Sequence, residues 1–271
     1  MKSSLILACA AALALPASAQ DTTTEPDWDL LNDPGKKSLI AYVPATTGLT
    51  LAVRCVDGAL DGVIAGLPAF PRGRPTRPLN LGFGDIPPHE TRWSVTTDRT
   101  VAISDYPAAF ARSLVKGGRL NIVIPGGAGE GRNLRHDLMM PPSSGAIEQV
   151  LTACGRPLVD PRDALLPDIE DNGLPLGLKW ARPPRPRYPN TNFASGYAVI
   201  SCVGQPDGTV DQCQVESEQP ARGRFGEAAL RSVGDARLDL AALPPGRILP
   251  HMIAFRVNFY MDGYERPREP E

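Results

Sequence analysis

Two of the three histidines in this sequence stand beside a carboxylate, as His89-Glu90 and His136-Asp137. An imidazole next to an acid is a pairing that general acid–base catalysis uses. Catalysis also needs a nucleophile, a metal or a cofactor cradle within reach. The sequence contains no G-x-S-x-G elbow, no H-E-x-x-H helix and no G-x-x-x-x-G-K-[ST] loop. The glycine-rich run 125–131 would let backbone N–H groups approach an anion. Its spacing departs from G-x-G-x-x-G and no lysine follows, so it reads as a loop between strands. The cysteines form no C-x-x-C, and His89, His136 and His251 are far apart, so no zinc set is spelled out. The expectation is a protein that is not an enzyme and carries no cofactor and no metal.

The side chains best placed for recognition are cations on a stiff backbone. Arg182, Arg185 and Arg187 are interleaved with Pro183, Pro184 and Pro186 and run into Tyr188. Proline fixes φ and favours an extended polyproline helix, on which arginines can grip acidic partners or cell-wall polymers. A solvated linker is the competing reading of the same segment.

Compartment follows from the first residues. Lys2, an apolar run over 5–15, the helix breaker Pro16 and the small residues Ala17 and Ala19 have the layout of a signal peptide cleaved after Ala19. The run is shorter than the roughly 20 apolar residues a spanning helix needs. Export would place the chain in the periplasm. Removing the leader removes Cys9 and leaves Cys55, Cys154, Cys202 and Cys213, an even number that reads as two disulfides in an oxidising compartment. Cys202 and Cys213 flank a hairpin turn at Pro206, Asp207 and Gly208, so they pair with each other and leave Cys55 for Cys154. A net charge of −2 gives no global footprint for nucleic acid or anionic lipid, and 42% hydrophobic residues are enough for ordinary cores.

Elements must position these residues. Strand-like runs at 37–43, 49–55, 58–64, 93–95, 101–104 and 120–124 are short, β-branched and separated by turn residues. Asp57-Gly58 is a hairpin signal. Helices are expected at 108–116, stopping at Gly117-Gly118, and at 144–155. In the second, Ile147, Val150, Leu151 and Cys154 recur at i, i+3, i+4 and i+7 and define a buried face. Eight prolines between Pro157 and Pro189 mark an extended stretch. Beyond it come strands at 197–203 and 209–215, a helix at 224–233 with Phe225, Ala229 and Leu230 on one side, and a strand at 252–260. That last strand alternates Ile253, Phe255, Val257 and Phe259 inward with Ala254, Arg256 and Asn258 outward.

From Pro186 onward the sequence resembles the TonB C-terminal domain. The likeness runs through Tyr188-Pro189, Gly196, the strand to Val203, Asp207-Gly208, Val210, Val215, the helix from Phe225 to Leu230, and the strand from Ile253 to Phe259, covering about 180–262. It implies a periplasmic module that recruits a strand from an outer-membrane transporter. The expected fold class is therefore α+β: a signal peptide at 1–19, a mostly-β disulfide-bonded domain at 20–156 closed by a C-terminal helix, a proline-rich linker at 157–182, a β-β-α-β TonB-like domain at 183–265, and a tail at 266–271. Partner-binding candidates are Arg185, Arg187, Tyr188, Ala254, Arg256 and Asn258, with the strand 252–260 as the pairing edge. Full transducers of the family keep an uncleaved N-terminal helix, and their aromatic-Arg-aromatic segment after the helix is replaced here by 235–239. A binding protein acting in envelope transport, without coupling to the proton-driven motor, fits these departures. The other reading is a structural or accessory envelope protein that binds peptidoglycan or a secretion complex.

Overall fold

The computed structural model describes residues 27–167, 174, 178–242, 250–261 and 263. The signal segment with its cleavage site, and the tail 266–271, lie outside the described residues. Among the described residues the fold is mixed α+β, mostly sheet with three short α-helices.

The first part is a nine-stranded antiparallel sheet. Its strands are β1 (Asp29–Asp33), β2 (Ser38–Pro44), β3 (Thr50–Val56), β4 (Ala59–Ala65), β5 (Thr76–Phe83), β6 (His89–Val95), β7 (Ala102–Ser104), β8 (Gly118–Ile124) and β9 (Leu134–Met140), in the order β1-β2-β3-β4-β7-β6-β5-β8-β9. Asp57 and Gly58 both take positive φ, 50° and 85°, which gives the tight β3–β4 hairpin its twist. Two helices, α1 (Pro107–Leu114) and α2 (Ala146–Ala153), close one face. Ile147, Val150 and Leu151 of α2 are fully buried, and the partly buried Cys154 packs beside them, as the spacing predicted. The outer strands curl toward each other: the Trp28 indole, just before β1, donates to the Pro141 carbonyl, just after β9, at 3.1 Å. The Cys55–Cys154 disulfide fastens the end of α2 to β3.

Strands β1, β5 and β9 were not expected. β5 carries Pro78, which argues against a central strand. Val95 donates to the Pro75 carbonyl, so with the β5–β6 register Pro78 falls at a position whose missing donor points away from β6. β8 begins to pair only at Asn80, so no ladder bond is lost. β1 and β9 are edge strands bearing Asp29, Asp33, Arg135 and Asp137, charges that blunt an open edge.

The second part holds a separate core. β11 (Ser195–Gly204), β12 (Val210–Gln219) and β14 (His251–Tyr260) form an antiparallel sheet in the order β12-β11-β14, and α3 (Phe225–Ser232) packs on β11 and β12. β10 (Trp180–Arg182) pairs with β13 (Arg237–Leu238) beside them. Cys202–Cys213 staples β11 to β12. The core includes Phe225, Ala228, Ala229, Ile253, Phe255 and Phe259. Leu230, expected on the same side of α3, points outward at 36% exposure, because the helix settles on Ala228 and Ala229 instead. Leu174, Leu178 and Trp180, from the expected linker, pack into this core.

The Phe225 ring fills a slot that two glycines leave open. A Cβ on Gly196 would lie 2.1 Å from the ring, and one on Gly223 would lie 2.3 Å away. Gly196→Ala forces the ring off its rotamer and should cost about 1–3 kcal/mol. A urea titration would show this as a lower midpoint, and an unchanged midpoint would mean that the slot is loose.

Candidate partner-binding surface

β14 is the outer strand of its sheet, and among the described residues it pairs only with β11. The direction of its amides follows from one hydrogen bond. Met261 N donates to the Ala194 carbonyl at 2.9 Å, which makes that pair a hydrogen-bonded one, next in register to Ser195 and Tyr260. Bonded and non-bonded pairs alternate in an antiparallel ladder. The amides of Phe255, Val257 and Phe259 therefore donate to β11, whereas those of Ala254, Arg256 and Asn258 point to the open edge. The three residues singled out by the sequence present main-chain donors where an added strand would pair.

Their side chains behave differently from expectation. Ala254 is fully buried and Arg256 is 11% exposed at its side chain, so the face taken as outward is covered; Asn258 alone of the three is exposed. The cover is the nine-stranded sheet and its helix. Arg256 Nη2 donates to Asp105 Oδ1 and Oδ2 at 2.5 and 2.6 Å and to Ser94 Oγ at 2.9 Å. Its guanidinium lies 4.2 Å over the Tyr197 ring. Burial works against the Arg256 charge, but the Asp105 carboxylate together with the Tyr197 and Tyr260 hydroxyls outweighs it and the guanidinium's pKa is raised. Burial, with Asp105 beside it, also drives the Tyr197 phenol upward and holds it protonated. Val199 and Ala254 pack against Tyr106 and Tyr197 on the same face.

The seam continues along β12. Ser217 Oγ donates to the Asp105 carbonyl at 2.9 Å, and Gln219 Nε2 donates to Asp61 Oδ1 at 2.5 Å. Arg162, on a 3-10 turn at Pro161–Leu165, reaches Ser201 Oγ at 2.5 Å and Glu216 Oε1 at 3.2 Å. The side chains of the outward face thus hold the two sheets together, while the β14 amides point sideways from that contact.

Tyr188 serves the fold. Its ring stands edge-on to Phe225 and Phe259, at 6.0 and 6.3 Å, and its hydroxyl donates to the Phe193 carbonyl at 2.6 Å. Trp180 stands edge-on to Phe255 at 5.2 Å. Between these two anchors the proline-fixed segment holds Arg185 and Arg187 exposed beside Arg182, facing the C-terminal end of α3 across a cleft of about 600 Å³. Arg182 and Arg231 complete the cleft, and no signal in the sequence marks Arg231. Its partnership depends on where α3 lands.

The histidine–acid pairs do not meet. His89 opens β6 at the lip of a cavity of about 440 Å³ walled by Leu81, Phe83, Trp93 and Phe110. Three of that cavity's polar groups already have partners: Asp105 with Arg256, Arg112 with Asp163 across the same wall at 2.6 Å, and Thr91 Oγ1 with the Leu79 carbonyl at 2.8 Å. His136 lies in β9, where burial lowers its pKa, and Asp137 beside it pairs with Arg119 at 3.0 Å. Among the described residues no three His, Cys, Asp or Glu side chains converge as a metal site. No helix among them is long and apolar enough to cross a membrane. Both disulfides are compatible with an exported protein. Comparison of the chain with protein-family models, with curated proteins and with solved structures finds no match.

Proposed function

We propose that this chain is a periplasmic, non-enzymatic binding protein with a mostly-β domain followed by a TonB-like β-β-α-β module, and that it acts in envelope transport by adding a strand of a partner to β14. The partner would be an outer-membrane receptor or a related envelope complex. The observation that carries the reading is the open edge of β14, where successive outward amides belong to Ala254, Arg256 and Asn258. An unpaired edge invites pairing unless it is covered, charged or used, and main-chain hydrogen bonds to an extended peptide give such capture its affinity. The chain runs β11-β12-α3-β13-β14, in which the three-stranded sheet and its helix follow the β-β-α-β order that the likeness to the TonB C-terminal domain implies. Docking of the sheet's outer face through Arg256 and Asp105 holds the edge in a fixed pose, which lowers the entropy lost on binding.

The alternative, an accessory envelope protein that binds peptidoglycan or a secretion complex, rests on the exposure of Arg185 and Arg187. Amide hydrogen exchange tests the first reading. In the free chain the Asn258 amide should exchange at least 10-fold faster than those of Val257 and Phe259. Partner recovered from a periplasmic extract should then slow Asn258 and leave its neighbours unchanged. If Asn258 is already protected in the free chain, the edge is covered and the strand-addition reading fails.

A further inference from the structure

The arginine cleft differs from an ordinary solvated surface in how its cations are gathered. Of the exposed arginines, Arg119, Arg132 and Arg224 have a carboxylate beside them in Asp137, Glu130 and Glu227, whereas Arg72, Arg74 and Arg135 make no ion pair with a described residue and are not gathered around a cleft. In the cleft, Arg231 is held by Glu227, but Arg182, Arg185 and Arg187 make no ion pair with any described residue. One carboxylate, Asp235, stands on the rim against four guanidinium groups. Like charges gathered at one site repel, and among the described residues Asp235 and the Glu227 bound to Arg231 offset that only in part.

The backbone that carries them is also fixed in advance. Pro183, Pro184 and Pro186 restrict φ, β10 pairs with β13 at one end, and Tyr188 is packed on Phe225 and Phe259 at the other. Arginines displayed in this way lose little backbone entropy when they close on an anion. The space is a bounded cleft of about 600 Å³ between the segment and α3, not a groove that tracks a polymer. A small volume holding three uncompensated cations calls for a ligand with three or more negative charges on few atoms. Guanidinium groups recognise phosphate oxygens in bidentate pairs.

We infer that the cleft between the 182–187 segment and the end of α3 is a binding site for a compact oligophosphate, held by Arg182, Arg185 and Arg187 with Arg231 at its far wall. The phosphates are either free in solution or borne on a lipid headgroup. This site does not depend on strand capture by β14.

The test uses the full exported chain in calorimetric titrations at low salt, with sodium tripolyphosphate and sodium orthophosphate as probes. Tripolyphosphate should bind one per chain and at least 10-fold more tightly than orthophosphate. Replacing Arg185→Gln and Arg187→Gln together should weaken it at least 10-fold, and Arg185→Lys with Arg187→Lys should recover only part, since lysine lacks the planar fork. A charge-matched control, Arg72→Gln with Arg74→Gln in an exposed loop, should stay within twofold. Co-sedimentation with phosphatidylcholine vesicles doped with a polyprenyl diphosphate that is lost in the Arg185/Arg187 glutamine pair would assign the phosphates to a lipid headgroup. Tripolyphosphate binding without such co-sedimentation would assign them to a free ligand. The inference is overturned if tripolyphosphate binds no better than orthophosphate, or if the control pair loses as much as the cleft pair.

Discussion

Asp105→Ala should destabilise the chain by about 3–5 kcal/mol, the range seen when one partner of a buried ion pair is removed. Asp105 is 3% exposed and faces Arg256 through both carboxylate oxygens. Without it, the Arg256 guanidinium stays in the seam with only Ser94 and the Tyr197 ring for company. Arg256→Met should cost a similar amount for the mirror reason, since the carboxylate is then stranded. The double replacement Asp105→Leu with Arg256→Met should cost less than either single change, because no lone charge remains. Denaturant titrations of the four proteins give the coupling directly. Single changes costing below about 1 kcal/mol would mean that water reaches the pair, and the seam would not fix the pose of β14.

That ion pair also marks the limit of what the sequence discloses. The period-two pattern of 252–260 identifies a half-buried strand, and Ile253, Phe255 and Phe259 do face the core. The same pattern assigns Arg256 to solvent, because a charged residue between apolar ones is normally exposed. Its partner lies 151 residues away, and no local signal announces a carboxylate at that distance. Val257, read as inward, is only half-buried. The two disulfides were legible because one pair brackets a turn, and elimination then gives the other. Proline had two different meanings. Pro78 stands inside a strand that runs on, since its missing donor faces no neighbour. The prolines around 157–189 suggested an extended linker, whereas Leu178 joins the second core, Trp180 packs on Phe255 and Tyr188 packs on Phe259. The cleft was half legible: Arg182, Arg185 and Arg187 are adjacent in sequence, but only the packing of α3 supplies Arg231 and the opposite wall.

Strand addition at β14 is decided most directly by a matched pair of proline substitutions in a periplasmic pull-down. Asn258→Pro removes a donor that makes no internal bond, at an edge position where proline is tolerated. The fold should persist, with a melting transition close to that of the parent chain, while partner recovery falls at least 10-fold. Val257→Pro removes a donor that bonds β11 and should cost about 3 kcal/mol or more in stability, because it breaks the ladder itself. It therefore reports on the sheet, and Asn258→Pro reports on the edge. The account predicts a folded Asn258→Pro chain that recovers no partner. A folded Asn258→Pro chain that recovers partner as well as the parent does would contradict it.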